Sequence, residues 1–313
     1  MYISEQEVRD VLTFEELIPA IRKALIDYSA GRINQPPRTI LRAGNAEDDR
    51  NGWFAVMPVV ADDVMGVKNV TAYPGNAALG LPTHMAVINL FNRATGEPLA
   101  VMDGRLITEM RTAAVSAVAF AALAPLHFTG DPASFGILGS GVQARAHIDA
   151  LRRVWPLLKE IRIWGRNREN AERLAAETGA RAVAIEEAAA GDVVLTATSS
   201  ATPVLEGRWL KQNALVLAVG ATASTLREID DEAMLSCYLV AESRASVERE
   251  SGDVRLSGAK VQAEIGEILA KGNTSTGTAI PTEGRVLFKS VGMAIEDLVA
   301  ARLVWQALAA KAK

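Results

Sequence analysis

The chain has 313 residues, of which 49% are hydrophobic and 22% are charged. This is the composition of a globular protein, and at a working size of about 150 residues per domain the length allows two domains. The net charge of −4 gives no general attraction for nucleic acid or anionic membranes. The single cysteine, Cys237, excludes an internal disulfide or a cysteine-based zinc cluster, and no metal site is expected.

The N-terminal residues lack the basic start and apolar stretch of a signal peptide. The longest apolar run, residues 113–126, is alanine-rich and shorter than the roughly 20 residues that a bilayer span needs. We interpret it as a buried helix and expect a cytoplasmic protein.

The N-terminal third of the chain predicts a helix followed by a sheet. Thr13, Glu16 and the apolar spacing that follows are typical of a capped amphipathic helix. Short β-like runs at 53–57, 64–70 and 85–91, separated by turn residues, then predict an antiparallel sheet. Residues 108–113 open the alanine-rich helix, which we expect to end near Pro125.

After residues 130–132 the pattern changes to buried strands that alternate with amphipathic helices. Such alternation predicts an α/β unit with a parallel, doubly wound sheet. The predicted strands are 134–138, 160–164, 181–185, 192–197, 214–219 and 238–241. The unit is expected to end near Gly284, before a strand at 285–290 and a helix at 292–311 whose packing the pattern does not specify.

The first of these strands runs into a G-x-G-x-x-A motif, with Gly139, Gly141 and Ala144 at its fixed positions. The first glycine permits a tight turn, and the second lets the backbone approach a pyrophosphate. The small third residue lets the helix pack on the strand, while the helix N-terminus faces the anion. The motif, at the start of a series of strands and helices, predicts a dinucleotide site.

The end of the second strand indicates which dinucleotide binds. NAD sites usually carry a carboxylate there for the ribose 2′-hydroxyl, whereas a 2′-phosphate favours arginine. Here the strand is followed by Gly165-Arg166-Asn167-Arg168. We therefore predict NADP(H), with NAD(H) as the alternative if Arg166 and Arg168 are only solvated loop residues.

Three basic residues stand out in the N-terminal part: Arg38, Lys68 and Arg111. Arg111, at the predicted start of a helix, adds its charge to the helix dipole and suits a carboxylate ligand. Lys68 lies in a predicted strand among valines, an unusual place for a lysine. The alternative for each is an ordinary surface side chain.

These residues belong to a longer pattern that resembles the ornithine cyclodeaminase/mu-crystallin family, and its mu-crystallin, ketimine reductase-like branch in particular. The resembling segments are 57–58, 67–68, 81–84, 100–104, 111–117, 137–144, 162–164, 250–254 and 288–294. The resemblance implies a homodimer in which a Rossmann domain, residues 125–287, is inserted into an α+β substrate-binding and dimerisation domain, residues 1–124 plus 288–313.

The resemblance also implies roles for single residues. Lys68 matches the active-site lysine, and Arg38 and Arg111 match the arginines that hold the substrate carboxylate. The positions that match cofactor contacts, besides Gly139 and Gly141, are Thr83, His84, Arg111, Thr112, Ser140, Val142, Gln143, Arg166, Asn167, Asn170, Thr198 and Val219. For His84 the alternative is a hydrogen-bonded core histidine.

One position departs from the cyclodeaminase pattern. Cyclodeaminases of the family carry an Asp after the fifth Rossmann strand, where it engages the substrate amine, whereas this chain has Thr222. A threonine in the substrate site supplies neither a charge for an ammonium nor a carboxylate base. The departure argues against ornithine cyclisation.

The leading hypothesis is therefore an NAD(P)H-dependent oxidoreductase that reduces a C=N bond next to a carboxylate. Its substrate would be a small ketimine or imine, or an amino acid in the reverse, alanine dehydrogenase-like direction. The alternatives are ornithine cyclodeaminase, which converts ornithine to proline and ammonia with catalytic NAD, and a non-catalytic small-ligand-binding protein.

Overall fold

A computed structural model describes residues 2–43, 52–271 and 280–311 of the chain. The chain divides into two units, which we call the first unit (Met1–Arg111 with Met293–Lys313) and the second unit (Thr112–Gly292). The sequence placed these boundaries at 124/125 and 287/288. The units divide instead within one helix, after Arg111, and in the loop after Gly292.

The N-terminal part of the first unit contains six strands and leads into a long helix that continues into the second unit. In chain order the elements are β1 (Tyr2–Ile3), α1 (Glu5–Val11), α2 (Phe14–Ser29), β2 (Thr39–Ala43), β3 (Gly52–Val60), β4 (Val64–Ala72), β5 (His84–Asn92), β6 (Pro98–Asp103) and α3 (Arg105–His127).

Both N-terminal helices begin at side-chain caps. The Thr13 hydroxyl accepts a hydrogen bond from the Glu16 N–H, so the predicted start of α2 is confirmed. Ser4 and Glu7 form a reciprocal capping box at the start of α1. This Ser-x-x-Glu signal is visible in the sequence, but α1 was not among the predicted elements.

The predicted antiparallel sheet is confirmed. Its order is β1-β6-β5-β4-β3-β2, with antiparallel pairing from β2 to β6 and a parallel β1 at the edge. Alternate residues of β4 are buried, and Lys68 lies on the buried face with Val64, Gly66 and Val70. The two-residue period of a strand thus places a lysine in the core of the unit.

The alanine-rich helix is confirmed as a buried helix, although α3 is longer than predicted and contains Pro125. By length and composition alone α3 would suffice to cross a membrane, but 72% of its most apolar 18-residue window is buried inside the protein. Its apolar character therefore matches that of a core helix.

The second unit is built around a parallel sheet. Its elements are β7 (Ser134–Leu138), α4 (Val142–Val154), β8 (Glu160–Trp164), α5 (Arg168–Thr178), β9 (Arg181–Ala182), α6 (Ile185–Ala189), β10 (Val193–Thr196), β11 (Leu215–Ala218), α7 (Asp231–Ser236), β12 (Cys237–Ala241), α8 (Arg244–Glu250), α9 (Gly252–Ser257), β13 (Ala263–Glu264), α10 (Ile265–Lys271) and β14 (Arg285–Lys289).

All neighbouring strands of this sheet are parallel, in the order β13-β12-β14-β11-β10-β7-β8-β9. The predicted doubly wound α/β fold is confirmed. From β7 the chain continues to β8 on one side, whereas β10 lies on the other side. In such sheets, ligands bind at the carboxyl ends of the strands where the order reverses, here β7 and β10.

One strand prediction was wrong in its length, and another strand has its packing partners defined by the structure. The strand expected at 181–185 is only β9, an exposed two-residue edge strand, because Ile185 already begins α6. The strand expected at 285–290 is confirmed as β14, which lies inside the parallel sheet and pairs with both β11 and β12. The boundary at 287/288 therefore falls within a central strand, and the second unit extends to Gly292.

The last helix, α11 (Ala294–Lys311), returns to the first unit and packs against β3, β4 and β5. Leu298 lies so close to Gly66 that a Cβ at Gly66 would be 2.7 Å from the Leu298 Cδ1 atom. The first turn of α11 carries Glu296 and Asp297, and both are buried.

Candidate functional site

The glycine motif forms the turn between β7 and α4. Gly139 has a φ of +134°, and a Cβ there would lie 2.5 Å from the carbonyl oxygen of Ala197. Gly141 is the N-cap of α4, and its Cβ position is open, with no atom of the described residues within 4 Å. The turn thus presents a helix N-terminus at an open approach beside the carboxyl end of β7. This geometry fits a pyrophosphate.

The loop after β8 lies against this turn. A Cβ at Gly165 would be 2.4 Å from the Ser140 Oγ atom, so the two loops are in close contact. Arg166 follows and is exposed. Arg168 is 89% exposed, and its Nε atom lies 2.7 Å from Glu172 Oε1. Of the two arginines, Arg166 is therefore the better candidate for a ligand phosphate.

Asn167 and Asn170, both carried over as cofactor contacts, meet each other at the start of α5. The Asn167 Oδ1 atom accepts a 3.0 Å hydrogen bond from the Asn170 N–H, which makes Asn167 the N-cap of that helix. The Asn170 side chain in turn accepts a hydrogen bond from Arg173. These contacts stabilise the turn that carries Arg166.

A buried network of charged side chains contacts the backbone of the loops that follow β10 and β11. Glu228 accepts a hydrogen bond of 2.5 Å from the Thr198 N–H. The Lys289 Nζ atom donates to the Gly220 carbonyl at 2.6 Å and lies 3.0 Å from Asp253 Oδ2. Burial raises the pKa of Glu228 to about 7, although the Lys289 charge opposes the shift. The sequence interpretation assigned no role to this network.

The network fixes the backbone on which other predicted cofactor contacts lie. Thr198 is half-buried two residues after the end of β10, and Val219 is buried directly after β11. A Cβ at Gly220 would lie 2.1 Å from a Glu228 carboxylate oxygen and 2.4 Å from the backbone carbonyl oxygen of Thr198, so only glycine fits there. Thr222 follows Ala221, whose φ is +47°, and is exposed in the same loop.

Thr112, Val142 and Gln143 complete the predicted cofactor positions in the second unit. Thr112 is buried in α3, whereas Val142 is 57% exposed at the first residue of α4. The carbonyl of Gln143 lies 2.7 Å from the His147 Nδ1 atom, and the Nε2 atom of His147 lies 2.9 Å from Ser116 Oγ. His147, to which the sequence assigned no role, thus fixes α4 against α3.

The first unit contains a separate cluster of buried charges around Lys68. The Lys68 Nζ atom lies 2.7 Å from Asp297 Oδ2 and 3.3 Å from the Thr108 hydroxyl, and the lysine side chain is only 2% exposed. Burial lowers the pKa of Lys68 to about 8; Asp297 opposes the shift, and Arg111 and Arg38 add to it. A lysine with such a pKa is able to give up a proton near neutral pH.

Arg111 is placed differently from the prediction. Because α3 begins at Arg105, Arg111 lies in the second turn and does not reinforce the N-terminal end of the helix dipole. Its Nη1 atom donates to Glu296 Oε2 at 2.7 Å, and its Nε atom donates to Asp297 Oδ1 at 3.0 Å. The carboxylates of Glu296 and Asp297 thus fix the position of the Arg111 guanidinium.

The sequence interpretation overlooked Glu296 and Asp297. The available signal was an acidic pair in the first turn of the last helix, two residues after the segment 288–294 that resembles the family. An acidic pair in the first helical turn is common, because it interacts favourably with the helix dipole. Only the fold brings this pair onto Lys68 and Arg111.

The remaining predicted positions of the first unit are Arg38, His84 and Thr83. Arg38 is half-buried just before β2, and its charge acts on Lys68. His84 is half-buried at the start of β5, and burial together with the charges of Lys68 and Arg111 lowers its pKa to about 4. His84 is therefore neutral at physiological pH. Thr83 is exposed, and its carbonyl accepts from the Tyr73 N–H.

Within residues 2–43, 52–271 and 280–311, no group of three or more His, Cys, Asp or Glu side chains is arranged to hold a metal ion.

Comparisons with known proteins agree with these features. The chain is 40% identical over 316 residues to the ketimine reductase mu-crystallin of Mus musculus, covering 97% of this chain and 96% of that protein. A Thermococcus litoralis Δ(1)-pyrroline-2-carboxylate reductase, solved with NADH and L-proline, superposes with a TM-score of 0.89 at 30% identity, covering 100% and 98% of the two chains. An archaeal alanine dehydrogenase dimer with bound NAD gives a TM-score of 0.89 at 27% identity, covering 100% and 97%.

The sequence profile of one family spans almost the whole chain, residues 1–312. The resemblance drawn from the sequence motifs is thereby confirmed: the chain belongs to the ornithine cyclodeaminase/mu-crystallin family.

Proposed function

We propose that this protein is an NADPH-dependent reductase of a C=N bond adjacent to a carboxylate. The observation that carries the proposal is the buried Lys68, whose pKa of about 8 suits a proton donor near neutral pH. The relatives named above as a ketimine reductase, a pyrroline-2-carboxylate reductase and an alanine dehydrogenase support this reaction type.

Reduction of an imine needs a hydride at carbon and a proton at nitrogen. When bound, the reduced nicotinamide supplies the hydride to the imine carbon. Lys68 in its ammonium form donates the proton from Nζ to the imine nitrogen and afterwards regains one from water. Its partly desolvated surroundings favour this transfer, because burial has already weakened the hold of Nζ on its proton.

The arginines of the first unit would bind the substrate carboxylate. The carboxylates of Glu296 and Asp297 hold the Arg111 guanidinium in one orientation. Arg38 supplies a second positive charge near Lys68. With Lys68 protonated, three positive charges face the two carboxylates of Glu296 and Asp297, and this excess favours an anionic substrate. A planar guanidinium also suits a carboxylate.

The second unit would bind the dinucleotide, with the pyrophosphate on the turn at Gly139 and Gly141. Within this site we propose NADPH as the preferred cofactor, with Arg166 on the 2′-phosphate. The exposure of Arg166 beside the Ser140 turn supports this choice. NADH remains the alternative, since the pyrroline-2-carboxylate reductase cited above was solved with NADH.

We also propose a homodimer formed through the outer face of the six-stranded sheet. The face opposite α11 carries apolar side chains in neighbouring strands: Tyr2 is 64%, Met85 41%, Val87 41% and Val101 39% exposed. A second copy of the chain would cover them. The archaeal alanine dehydrogenase cited above is a dimer.

The dimer is tested by sedimentation of the wild-type chain and of Val87→Asp, with Leu256→Asp as a control for an exposed leucine of the second unit. A wild-type dimer that becomes a monomer only in Val87→Asp supports the assignment. A monomeric wild type, or a dimer unaffected by Val87→Asp, contradicts it.

The function is tested by following NADPH oxidation with a panel of carbonyl and imine compounds. The panel contains cyclic imines with a carboxylate on the C=N carbon, the same rings without the carboxylate, and pyruvate with and without an amine. We expect oxidation with the carboxylate-bearing imines and with pyruvate plus amine only. Equal rates without the carboxylate, or no turnover of any imine, would contradict the proposal.

A further inference from the structure

Asp297 occupies a central position in the buried charge cluster. It lies in the first turn of α11, where its carboxylate is 1% exposed. One oxygen lies 2.7 Å from the Lys68 Nζ atom, and the other accepts from the Arg111 Nε atom at 3.0 Å. A single carboxylate thus connects a residue of β4 with a residue of α3.

The charges around Lys68 differ in sign, and their balance depends on Asp297. Arg111 from α3 and Arg38 from the segment before β2 repel the ammonium, whereas Asp297 from α11 attracts it. The Thr108 hydroxyl also contacts Nζ, and His84 on β5 is near enough for the Lys68 charge to lower its pKa. Among the groups that act on Lys68, Asp297 supplies the stabilising charge.

Asp297 is itself kept ionised. Burial opposes its negative charge, but Arg111 and Lys68 outweigh this effect and hold the pKa of the carboxyl below its usual value. Its place in the first turn of α11 adds the favourable end of the helix dipole. A carboxylate that remains charged across the neutral range is a constant partner for a lysine that does not.

We propose that Asp297 is a positioning residue of the reaction, which keeps Lys68 in its ammonium form and directs Nζ toward the substrate nitrogen. The inference rests on the reductase function proposed above. In the step concerned, the imine nitrogen takes a proton from Nζ as its carbon receives the hydride, Lys68 becomes neutral, and water returns the proton. Asp297 stays ionised and exchanges no proton.

The chain offers a matched control for this proposal. Glu296 is the preceding residue of the same helical turn, is also buried, and forms its ion pair with Arg111. Its Oε2 atom also accepts the Met293 N–H at 3.1 Å. Asp297→Asn and Glu296→Gln therefore each remove one buried negative charge next to Arg111, but only the first removes the carboxylate that contacts Lys68.

The test is the pH dependence of kcat for an imine identified in the panel. The reaction needs the Lys68 ammonium, so wild-type kcat should fall above a pH set by the Lys68 pKa of about 8. Loss of a contacting opposite charge lowers such a pKa by about 1–3 units. Asp297→Asn should therefore move the upper pH limit downward by at least about one unit, a tenfold weaker hold on the proton.

Glu296→Gln should raise KM, because it removes an ion pair that holds Arg111. It should move the upper pH limit of kcat by less than half of the shift seen in Asp297→Asn. A merely structural role for Asp297 predicts a lower kcat with an unshifted pH limit, and that result would overturn the proposal. So would equal shifts in the two variants.

A substrate-independent measurement separates this proposal from the reductase function. The Lys68 Cε signal can be titrated by NMR in protein with ¹³C-labelled lysine and identified by its loss in Lys68→Met. Asp297→Asn should lower its midpoint even if no imine proves to be a substrate; an unchanged midpoint overturns the proposal. If Asp297→Asn does not fold, Asp297→Glu can be titrated in its place, because it retains the negative charge. Its Lys68 midpoint should lie near the wild-type value. A midpoint at least about one pH unit lower would overturn the proposal.

Discussion

Gly139 and Gly141 belong to the same turn, but the structure gives them different surroundings, and substitution by alanine separates stability from cofactor binding. At Gly141 the backbone is extended, with a φ of −92° and a ψ of −167°, and the Cβ position is open. An added methyl group there meets no atom of the residues that the structure describes. It would instead occupy the approach of the pyrophosphate to the N-terminus of α4.

The expected magnitudes follow from these surroundings. Gly141→Ala should change the free energy of unfolding by no more than about 0.5 kcal/mol, as for a surface change. It should weaken NADPH binding at least about tenfold, or about 1.4 kcal/mol. Gly139→Ala adopts a strained φ of +134° and meets the Ala197 carbonyl at 2.5 Å, so it should cost roughly 2–5 kcal/mol of stability.

The assay pairs urea unfolding with fluorescence titration of NADPH. Gly179→Ala serves as the control, because Gly179 caps α5 at a φ of +70° with no atom within 4 Å of its Cβ position. It should lose about 1–2 kcal/mol of stability and keep wild-type NADPH affinity. If Gly141→Ala binds NADPH as tightly as the wild type, the turn does not hold the pyrophosphate and the reasoning is refuted.

Four further outcomes are expected. Arg166→Ala should weaken NADPH by roughly 1.5–3 kcal/mol and NADH far less, in parallel titrations of both cofactors; equal losses would remove the NADP preference. Lys68→Met should lower turnover of an identified imine by about 10²–10⁴-fold and leave NADPH affinity nearly unchanged, whereas wild-type turnover with an unaltered pH profile would return Lys68 to a structural role. The wild-type protein should form no proline from ornithine with NAD, because Thr222 offers no carboxylate to the amine; robust proline formation would favour the cyclodeaminase instead. Burial lowers the pKa of His147 from 6.5 to about 4, although its hydrogen bond with the Gln143 carbonyl opposes the shift. Between these pH values His147 stays neutral in the folded protein, whereas in the unfolded chain it takes up a proton. Stability should therefore fall as the pH decreases from 6.5 to 4, less so in His147→Gln, and parallel urea curves for both proteins across that window would contradict this.

Local patterns in the sequence predicted the parts of the fold that local interactions determine. Thr13 and Glu16 mark the start of α2 because capping involves residues three positions apart. The strand β7 and the turn at Gly139 were also predicted, because a buried strand requires consecutive apolar residues and a positive φ favours glycine. The position of β14 in the parallel sheet could not be predicted from local patterns, because its pairing with β11 and β12 depends on the whole sheet.

The same distinction holds for the candidate site. Lys68 attracted attention because a lysine among valines in a strand is unusual, and burial follows from its position in β4. Its partner Asp297 was not identified from the sequence, because acidic residues in a first helical turn are common. The Arg111–Asp297 contact spans 186 residues, and only tertiary packing brings such groups together. The Glu228–Lys289 network was overlooked for the same reason.

The central claim is that hydride from NADPH is added to an imine carbon next to a carboxylate. The most direct measurement uses NADPH deuterated at the transferred position of the nicotinamide, with Δ(1)-pyrroline-2-carboxylate as substrate, and mass spectrometry of the product. The proposal predicts proline with a single deuterium on the carbon that bears the carboxylate, in one enantiomer. Proline without deuterium, or oxidation of NADPH with no labelled amino acid, would contradict it.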